Sequence, residues 1–214
     1  MKAASISNFN TSFLDIGCGS HSPWLRGLKQ LGFSNLLGVD PYIETDVDDD
    51  IHILKDEIKN IEGSFDIVSL HHSLEHMADQ LDALVSVRRL LKPNGVCLIR
   101  VPLVDSFVWK KYGTDWVELD APRHLYLHSQ RSLRVLARNA NLALFETLFD
   151  STRFEFIGSE QYRRGISMMA DNSFFVDPNR SIFSTDEIAD FQALAVKVNR
   201  NAESGRACFF LRAQ

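Results

Sequence analysis

The sequence predicts an α/β fold, a mostly parallel sheet with helices on both faces. Three observations carry this. Short apolar runs recur along the 214 residues, at Ser12–Ile16, Leu36–Val39, Phe65–Leu70, Val96–Val101, Leu142–Phe149 and Ala207–Leu211. Segments with helical spacing and their own start and stop residues lie between them. The first run ends in a glycine loop, Gly17-Cys18-Gly19, just ahead of a capped helix.

The elements follow in order. Ser22 suits a helix N-cap and Pro23 the first helical position, where a missing N–H costs nothing. Trp24, Leu28 and Leu31 recur at helical spacing, and Gly32 suits the left-handed residue beyond the helix end. The second strand closes at Asp40-Pro41. Glu44 to Glu62 is acidic and less regular, with a short edge strand around Ile51, Ile53 and Leu54. Gly63-Ser64 introduces the next strand. Asp79 to Leu91 reads as a helix with Leu81, Leu84, Val85 and Leu91 inward, ended by Pro93-Asn94-Gly95. Ser129 starts a helix through Ala140 with Leu133, Leu136 and Ala137 inward, and Asn141 takes the left-handed position after it. Ser184 to about Arg200 is the last helix. Two stretches lack a clean period, Pro102–His128 and Phe154–Arg180. The chain is expected to be one domain over residues 1–214, with 102–128 and 154–180 as lid or substrate insertions.

Composition narrows the function. The chain carries 23 basic and 28 acidic residues, a net charge of −5. That weighs against broad adhesion to nucleic acid or an anionic membrane. Three scattered cysteines, Cys18, Cys97 and Cys208, fit neither a disulfide framework nor a CxxC zinc pair, which points to a reducing compartment. No apolar run approaches the roughly 18 residues of a membrane span, and Met1–Asn10 lacks the apolar stretch of a signal peptide. A cytoplasmic protein is expected.

The glycine loop is the sharpest motif. Glycines allow tight turns and close approach of a ligand to the main chain. Sheets of this kind bind ligands beyond the carboxyl ends of their strands. Asp40 ends the second strand 23 residues after Gly17, placed to accept hydrogen bonds from both hydroxyls of a ribose. Position 22 is Ser, so the GxGxxG spacing that seats a pyrophosphate is absent, and a nucleoside without one fits better.

On these residues the chain resembles a class I S-adenosylmethionine-dependent methyltransferase of the small-molecule branch. Leu14 to Gly19 matches that family's glycine motif, Val39-Asp40 its ribose-binding acid and Ser64-Phe65-Asp66-Ile67-Val68 its fourth strand. Leu74-Glu75-His76 and Leu90-Leu91-Lys92-Pro93-Asn94-Gly95 match two further blocks. Leu119-Asp120-Ala121-Pro122-Arg123-His124-Leu125 resembles a signature of bacterial members associated with surface polysaccharides, ubiquinone-like lipids and other small molecules, and Gly158-Ser159-Glu160-Gln161-Tyr162 is similar, more weakly, to polysaccharide-locus members. The resemblance implies a Rossmann-like seven-stranded sheet of order 3-2-1-4-5-7-6, with the last strand antiparallel. It departs from the pattern where His21 replaces a third glycine and where Asp40–Phe65 is short, so that the helix between the second and third strands is expected to be vestigial.

The resemblance also implies roles. S-adenosylmethionine would be held by Asp15 near its amino group, by Gly17, Cys18 and Gly19 through their backbone, by Asp40 at the ribose and by Pro41 and Tyr42 beside the adenine. His71 would face the methionine end, and Asp56 is the candidate for the adenine amino group. The reaction expected is methyl transfer to a small or carbohydrate-like acceptor at oxygen. A hydroxyl acceptor must lose its proton, which a histidine can take near neutral pH. His124 is the first candidate base and His72 the second. Arg123, Tyr126 and Trp116 are candidate substrate contacts; Arg123 could equally pair with Asp115, Glu118 or Asp120. No HExxH or paired-carboxylate spacing supports a metal among the histidines, and Asp46–Asp50 lacks calcium-loop spacing, so no metal is expected. Cys18 reads as a small loop residue, Cys97 and Cys208 as core. No nucleic-acid partner is expected, and a homodimer is a candidate assembly. Two alternatives stay open: a cofactor-binding regulatory module or pseudo-enzyme, and a nucleic-acid or protein methyltransferase.

Overall fold

The computed structural model describes residues 8–214. Residues 1–7, part of the Met1–Asn10 stretch read above for a signal peptide, lie outside the described residues. In chain order the elements are β1 (Phe13–Ile16), α1 (Pro23–Gln30), β2 (Leu36–Val39), β3 (Val47–Asp48), β4 (His52–Leu54), β5 (Phe65–His71), α2 (Gln80–Leu90) and β6 (Leu91–Pro102). There follow α3 (Phe107–Tyr112), α4 (Gln130–Asn139), β7 (Leu142–Phe149), α5 (Arg153–Arg163), α6 (Thr185–Arg200) and β8 (Arg206–Ala213). The chain divides into two compact units. The first comprises Met1–Val101, Arg131–Thr147 and Cys208–Gln214, the second Pro102–Gln130 and Leu148–Ala207.

The first unit carries the sheet, in the order β3-β4-β2-β1-β5-β6-β8-β7. The β1–β2, β1–β5, β2–β4 and β5–β6 pairs are parallel. Among the described residues the strands number eight rather than seven. The addition is β3, antiparallel to β4; without it the order is the expected one. Its cause lies in the acidic run Asp46–Asp50. Asp49 closes the turn by accepting from the Ile51 N–H at 3.1 Å, and Arg26 on α1 grips both Asp49, at 2.8 Å, and Asp50. No helix separates β2 from β4, as expected of the short connection.

Local signals shape the ends of α1. The Ser22 hydroxyl accepts from Leu25 N, Pro23 opens the helix, and Gly32 leaves it at φ +96°. The Phe33 and Gly32 N–H groups return to the Leu28 and Lys29 carbonyls, closing the last turn. Leu25 and Leu28 join Phe13, Ile67, Val96, Leu98 and Phe210 in one apolar cluster on the sheet. Each such burial contributes about 1.5–3 kcal/mol.

Helix α2 is turned relative to the expectation. Ala83, Leu84, Val87 and Leu90 are buried, whereas Leu81 is 41% and Val85 50% exposed. Gln80 sets the phase: its amide donates to the Leu74 carbonyl at 2.7 Å, which seats a polar residue on the inner face. Leu91 is not helical but pairs with Phe65, and the Pro93-Asn94-Gly95 turn becomes a bulge within β6, with Asn94 at φ +66°. On α4, Leu133 and Ala137 are buried while Leu136 is only partly so, and Asn141 takes its left-handed position at φ +55°.

The second unit is built around Trp116, Phe156, Tyr112 and Val108, with Ala195 and Val198 of α6. Ser184 and Glu187 form a reciprocal cap at the start of α6. The stretch 154–180, which shows no period in sequence, contains α5. Its pattern is masked because Glu155, Ser159 and Gln161 are buried polar residues on a helix whose apolar stripe should be continuous. Each has partners: Ser151 for Glu155, the Val117 N–H for Ser159, and Ser173 with the Phe174 N–H for Gln161.

Candidate active site

The site lies in the first unit, where β1, β2, β4 and β5 end together. Asp15 stands in β1 opposite Gly38 of β2 and Ser69 of β5. Its carboxylate is buried and accepts from the Ser69 hydroxyl at 2.7 Å and the Ser22 hydroxyl at 3.1 Å. Burial pushes its pKa up to about 6, against the pull of the two hydroxyls. Ser22 thus caps α1 and steadies Asp15 with the same oxygen.

The chain then leaves the sheet through two left-handed glycines. Gly17, at φ +68°, donates to the Val39 carbonyl at 2.8 Å, and a Cβ there would lie 2.6 Å from Ser73 Cβ, so no larger residue fits. Gly19, at φ +63°, donates to Asp40 Oδ2 at 2.8 Å, and the space its side chain would fill is open. Asp40 Oδ1 accepts from the Tyr42 N–H at 2.8 Å. Two main-chain donors therefore aim this carboxylate, one per oxygen. Each oxygen retains a lone pair, which is what two adjacent ribose hydroxyls require.

A cleft of about 760 Å³ opens here. Of the expected cofactor residues, Gly17, Asp40, Pro41, Tyr42 and Asp56 line it. Asp56 accepts from the Glu57 N–H and the Asn60 amide, which hold it below the usual carboxylate range. Asp15, Cys18 and Gly19 shape the loop. Cys18 turns toward the core, its Sγ filling the space a side chain on Gly38 would need; burial, with Asp15 and Asp40 nearby, pushes the thiol up to about 12 and keeps it protonated. His71 ends β5 and packs edge-on against Trp24.

His72 lines the cleft with His76 and Met77. It takes φ +52° and donates its N–H to the Arg100 carbonyl. Its Nδ1 lies 3.4 Å from Oε1 of Glu75, which is fully buried. Sequence reasoning missed Ser69, Ser73 and Glu75 as supports. Their signal was a small residue within the apolar strand at Ser69 and a polar one in the short turn of helix after it at Ser73 and Glu75, but nothing local said which way each points.

The second unit carries the remaining candidates. His124 Nδ1 lies 2.9 Å from the Glu118 carbonyl oxygen, and its Nε2 3.8 Å from Asp120. Arg123 pairs with Asp120 at 2.6 Å, the third of the partners weighed. Trp116 is packed in the core edge-on to Trp109 rather than presented at a surface, and Tyr126 is exposed.

A Rossmann-like sheet, a glycine loop with a buried acid beneath it and an aimed carboxylate at the end of β2 fit the class I methyltransferase fold. The family comparison agrees: the model of the "Methyltransferase domain" family matches residues 2–147, and the chain belongs to that family. It is an S-adenosylmethionine-dependent methyltransferase. An uncharacterized methyltransferase of Schizosaccharomyces pombe is 26% identical, with 92% of this chain and 80% of the relative covered. Among solved structures, the geranyl diphosphate C-methyltransferase of Streptomyces coelicolor, complexed with Mg2+, geranyl diphosphate and S-adenosylhomocysteine, superposes with a TM-score of 0.59 at 13% identity, over 100% of this chain and 76% of that one. A SAM-dependent methyltransferase of Archaeoglobus fulgidus gives 0.56 at 16% identity, over 94% and 86%. Among the described residues no helix is long and apolar enough to cross a membrane.

Proposed function

We propose that the chain methylates a hydroxyl of a small, carbohydrate-like acceptor, with His72 as the base. The observation that carries this reading is His72 on the wall of the cofactor cleft with the buried carboxylate of Glu75 behind its Nδ1. When bound, the cofactor supplies an electrophilic methyl group on a sulfonium. Asp40 holds the ribose, Asp15 sits beneath the loop for the amino group, and Asp56 is set for the adenine. Glu75 Oε1 stands 3.4 Å from His72 Nδ1 and can accept its N–H, which turns His72 Nε2 to the acceptor's hydroxyl proton as the oxygen attacks. The three free cysteines support a cytoplasmic setting.

Calorimetry with S-adenosylhomocysteine tests the cofactor site, and methylation assays over hydroxylated and amino acceptors test the rest. Binding, product on a hydroxylated sugar derivative and a loss of about 10²–10⁴ in turnover for His72→Asn at unchanged cofactor affinity are expected. No heat at millimolar ligand would sink the cofactor site. Methylation of amines alone, or full turnover by His72→Asn, would sink oxygen transfer through His72.

A further inference from the structure

His72 sits in a backbone conformation that side chains other than glycine rarely take, at φ +52°. Such a residue persists only where its surroundings over-determine it, and such residues gather at functional sites. Here a hydrogen bond on each side does so. On one side His71 stands in register with Arg100 of β6, and the His72 N–H donates to the Arg100 carbonyl at 2.9 Å. On the other side the Ser73 hydroxyl donates to the Ile16 carbonyl of β1 at 2.8 Å.

The Ser73 bond is not the one its position suggests. Ser73 precedes the short helical turn Leu74–His76, where a serine hydroxyl ordinarily accepts from the turn's own N–H groups. It makes no such cap. The Ser73 carbonyl serves the turn, accepting from the His76 N–H at 3.1 Å, while the hydroxyl crosses to another strand. The register of β1 with β5 ends at Asp15 opposite Ser69, so this side-chain bond carries the pairing past the point where the two backbones part. The same residue is wedged against the glycine loop. A Cβ on Gly17 would lie 2.6 Å from Ser73 Cβ and 3.2 Å from its Oγ. Ser73 is buried, and Ile16, Gly17, His72 and Ser73 all line the cleft.

We propose that Ser73 is a positioning residue for the methyl transfer. It ties the exit of β5 to the glycine loop, and so fixes the His72 imidazole relative to the ligand that the loop holds. The proposal rests on the reading of His72 as the base.

Ser73→Ala removes the hydroxyl, and thermal unfolding establishes that the variant folds. Ser73→Cys, which keeps an atom in the hydroxyl's place but only a weak donor, carries the same test should the alanine variant not fold. The first readout needs no acceptor: amide hydrogen exchange of His72 in the empty protein, followed by NMR. Loss of the hydroxyl should speed it about tenfold, while Leu14 and Val68 deeper in the sheet exchange as before. The second is a double-mutant cycle at saturating S-adenosylmethionine, with a hydroxylated sugar derivative that the wild-type chain methylates. Ser73→Ala should lower kcat about tenfold and leave KM for the acceptor within about twofold. On the His72→Asn background it should cost less than about twofold more, because its effect runs through His72. Unchanged exchange at His72, or the same loss of kcat on both backgrounds, overturns the positioning role and leaves Ser73 as packing alone. Full turnover by His72→Asn, or no turnover by the wild-type chain on any acceptor, overturns the base reading instead, and the exchange measurement then decides by itself whether Ser73 holds residue 72 in place.

Discussion

Two buried carboxylates, Asp15 in the first unit and Glu155 in the second, solve the same problem in opposite ways. Burial raises both. Asp15 rests on two neutral hydroxyls, under a loop whose outer side is open. Glu155 accepts from the Ser151 hydroxyl at 2.9 Å and has Arg206 Nε at 3.8 Å, but that one guanidinium also lies 3.6 Å from Glu118 and 3.5 Å from Asp150. Desolvation and the negative charge of Glu118 lift Glu155 well above the ordinary glutamate value, more than Arg206 lowers it. The partner therefore decides the use of the acid. Neutral hydroxyls leave the charge on Asp15 uncompensated and ready for a cationic group. Around Arg206 the carboxylates are in excess, so Glu155 satisfies the fold by keeping its proton.

The largest effect that can break this comparison is in the first unit. Asp40→Ala removes the acceptor of the Gly19 and Tyr42 N–H groups and, with it, the proposed ribose contact. With charged hydrogen bonds contributing about 1.5–3 kcal/mol each, S-adenosylhomocysteine binding should fall at least about 100-fold by calorimetry. An affinity within threefold of wild type would mean the open loop is not a cofactor site.

Next comes the second unit. A Cβ on Gly205 would lie 2.3 Å from Glu155 Oε2, so Gly205→Ala should cost about 1–3 kcal/mol of stability, seen as a lower Tm. Below the melting range its S-adenosylhomocysteine affinity should match wild type. A lost affinity would tie the two carboxylates together.

The third effect is the pH dependence of Asp15. Its folded pKa, about 6, is raised, so its ionisation lowers the stability of the empty protein as pH rises toward 6. Binding of an ammonium-bearing ligand has the reverse sign. It needs the carboxylate, is full above pH 6 and should weaken about tenfold per pH unit below it. Asp15→Asn should flatten this profile, and an unchanged profile would remove Asp15 from the site.

Glu155→Gln should have the smallest effect at low pH, where both chains carry a neutral group. The wild-type acid is protonated in the fold and ionised when unfolded, so its stability falls as pH rises above the ordinary glutamate value. The glutamine variant should lose that decline and be at least as stable at neutral pH in denaturant titrations. A less stable variant at neutral pH would show that Glu155 is held as an anion.

Much of the first unit was legible because its signals are local. The run Phe13–Ile16, the paired glycines, the Ser22-Pro23 start and the strand-ending Asp40 each lie within a few residues of what they specify, and the structure keeps all four. Asn141 and Gly32 were readable for the same reason, as residues that tolerate positive φ. Where burial by distant residues decides, the pattern misleads. The inner face of α2 turns on the amide of Gln80 reaching Leu74. Helix α5 is hidden because three of its buried residues are polar and find their partners elsewhere in the chain.

By itself, then, the sequence determined the α/β class, the strand order short of β3, and the glycine loop with the acid that ends the second strand. These depend on near-neighbour geometry and on residue types that few positions can accept. The tertiary structure alone decided that Asp15 meets Ser69, 54 positions away, that Glu75 stands behind His72, that Trp116 is core and that Ser73 reaches back to Ile16. Long-range packing sets the dielectric and the partners of a side chain, and it is these, rather than the residue type, that give a buried group its charge and its chemistry.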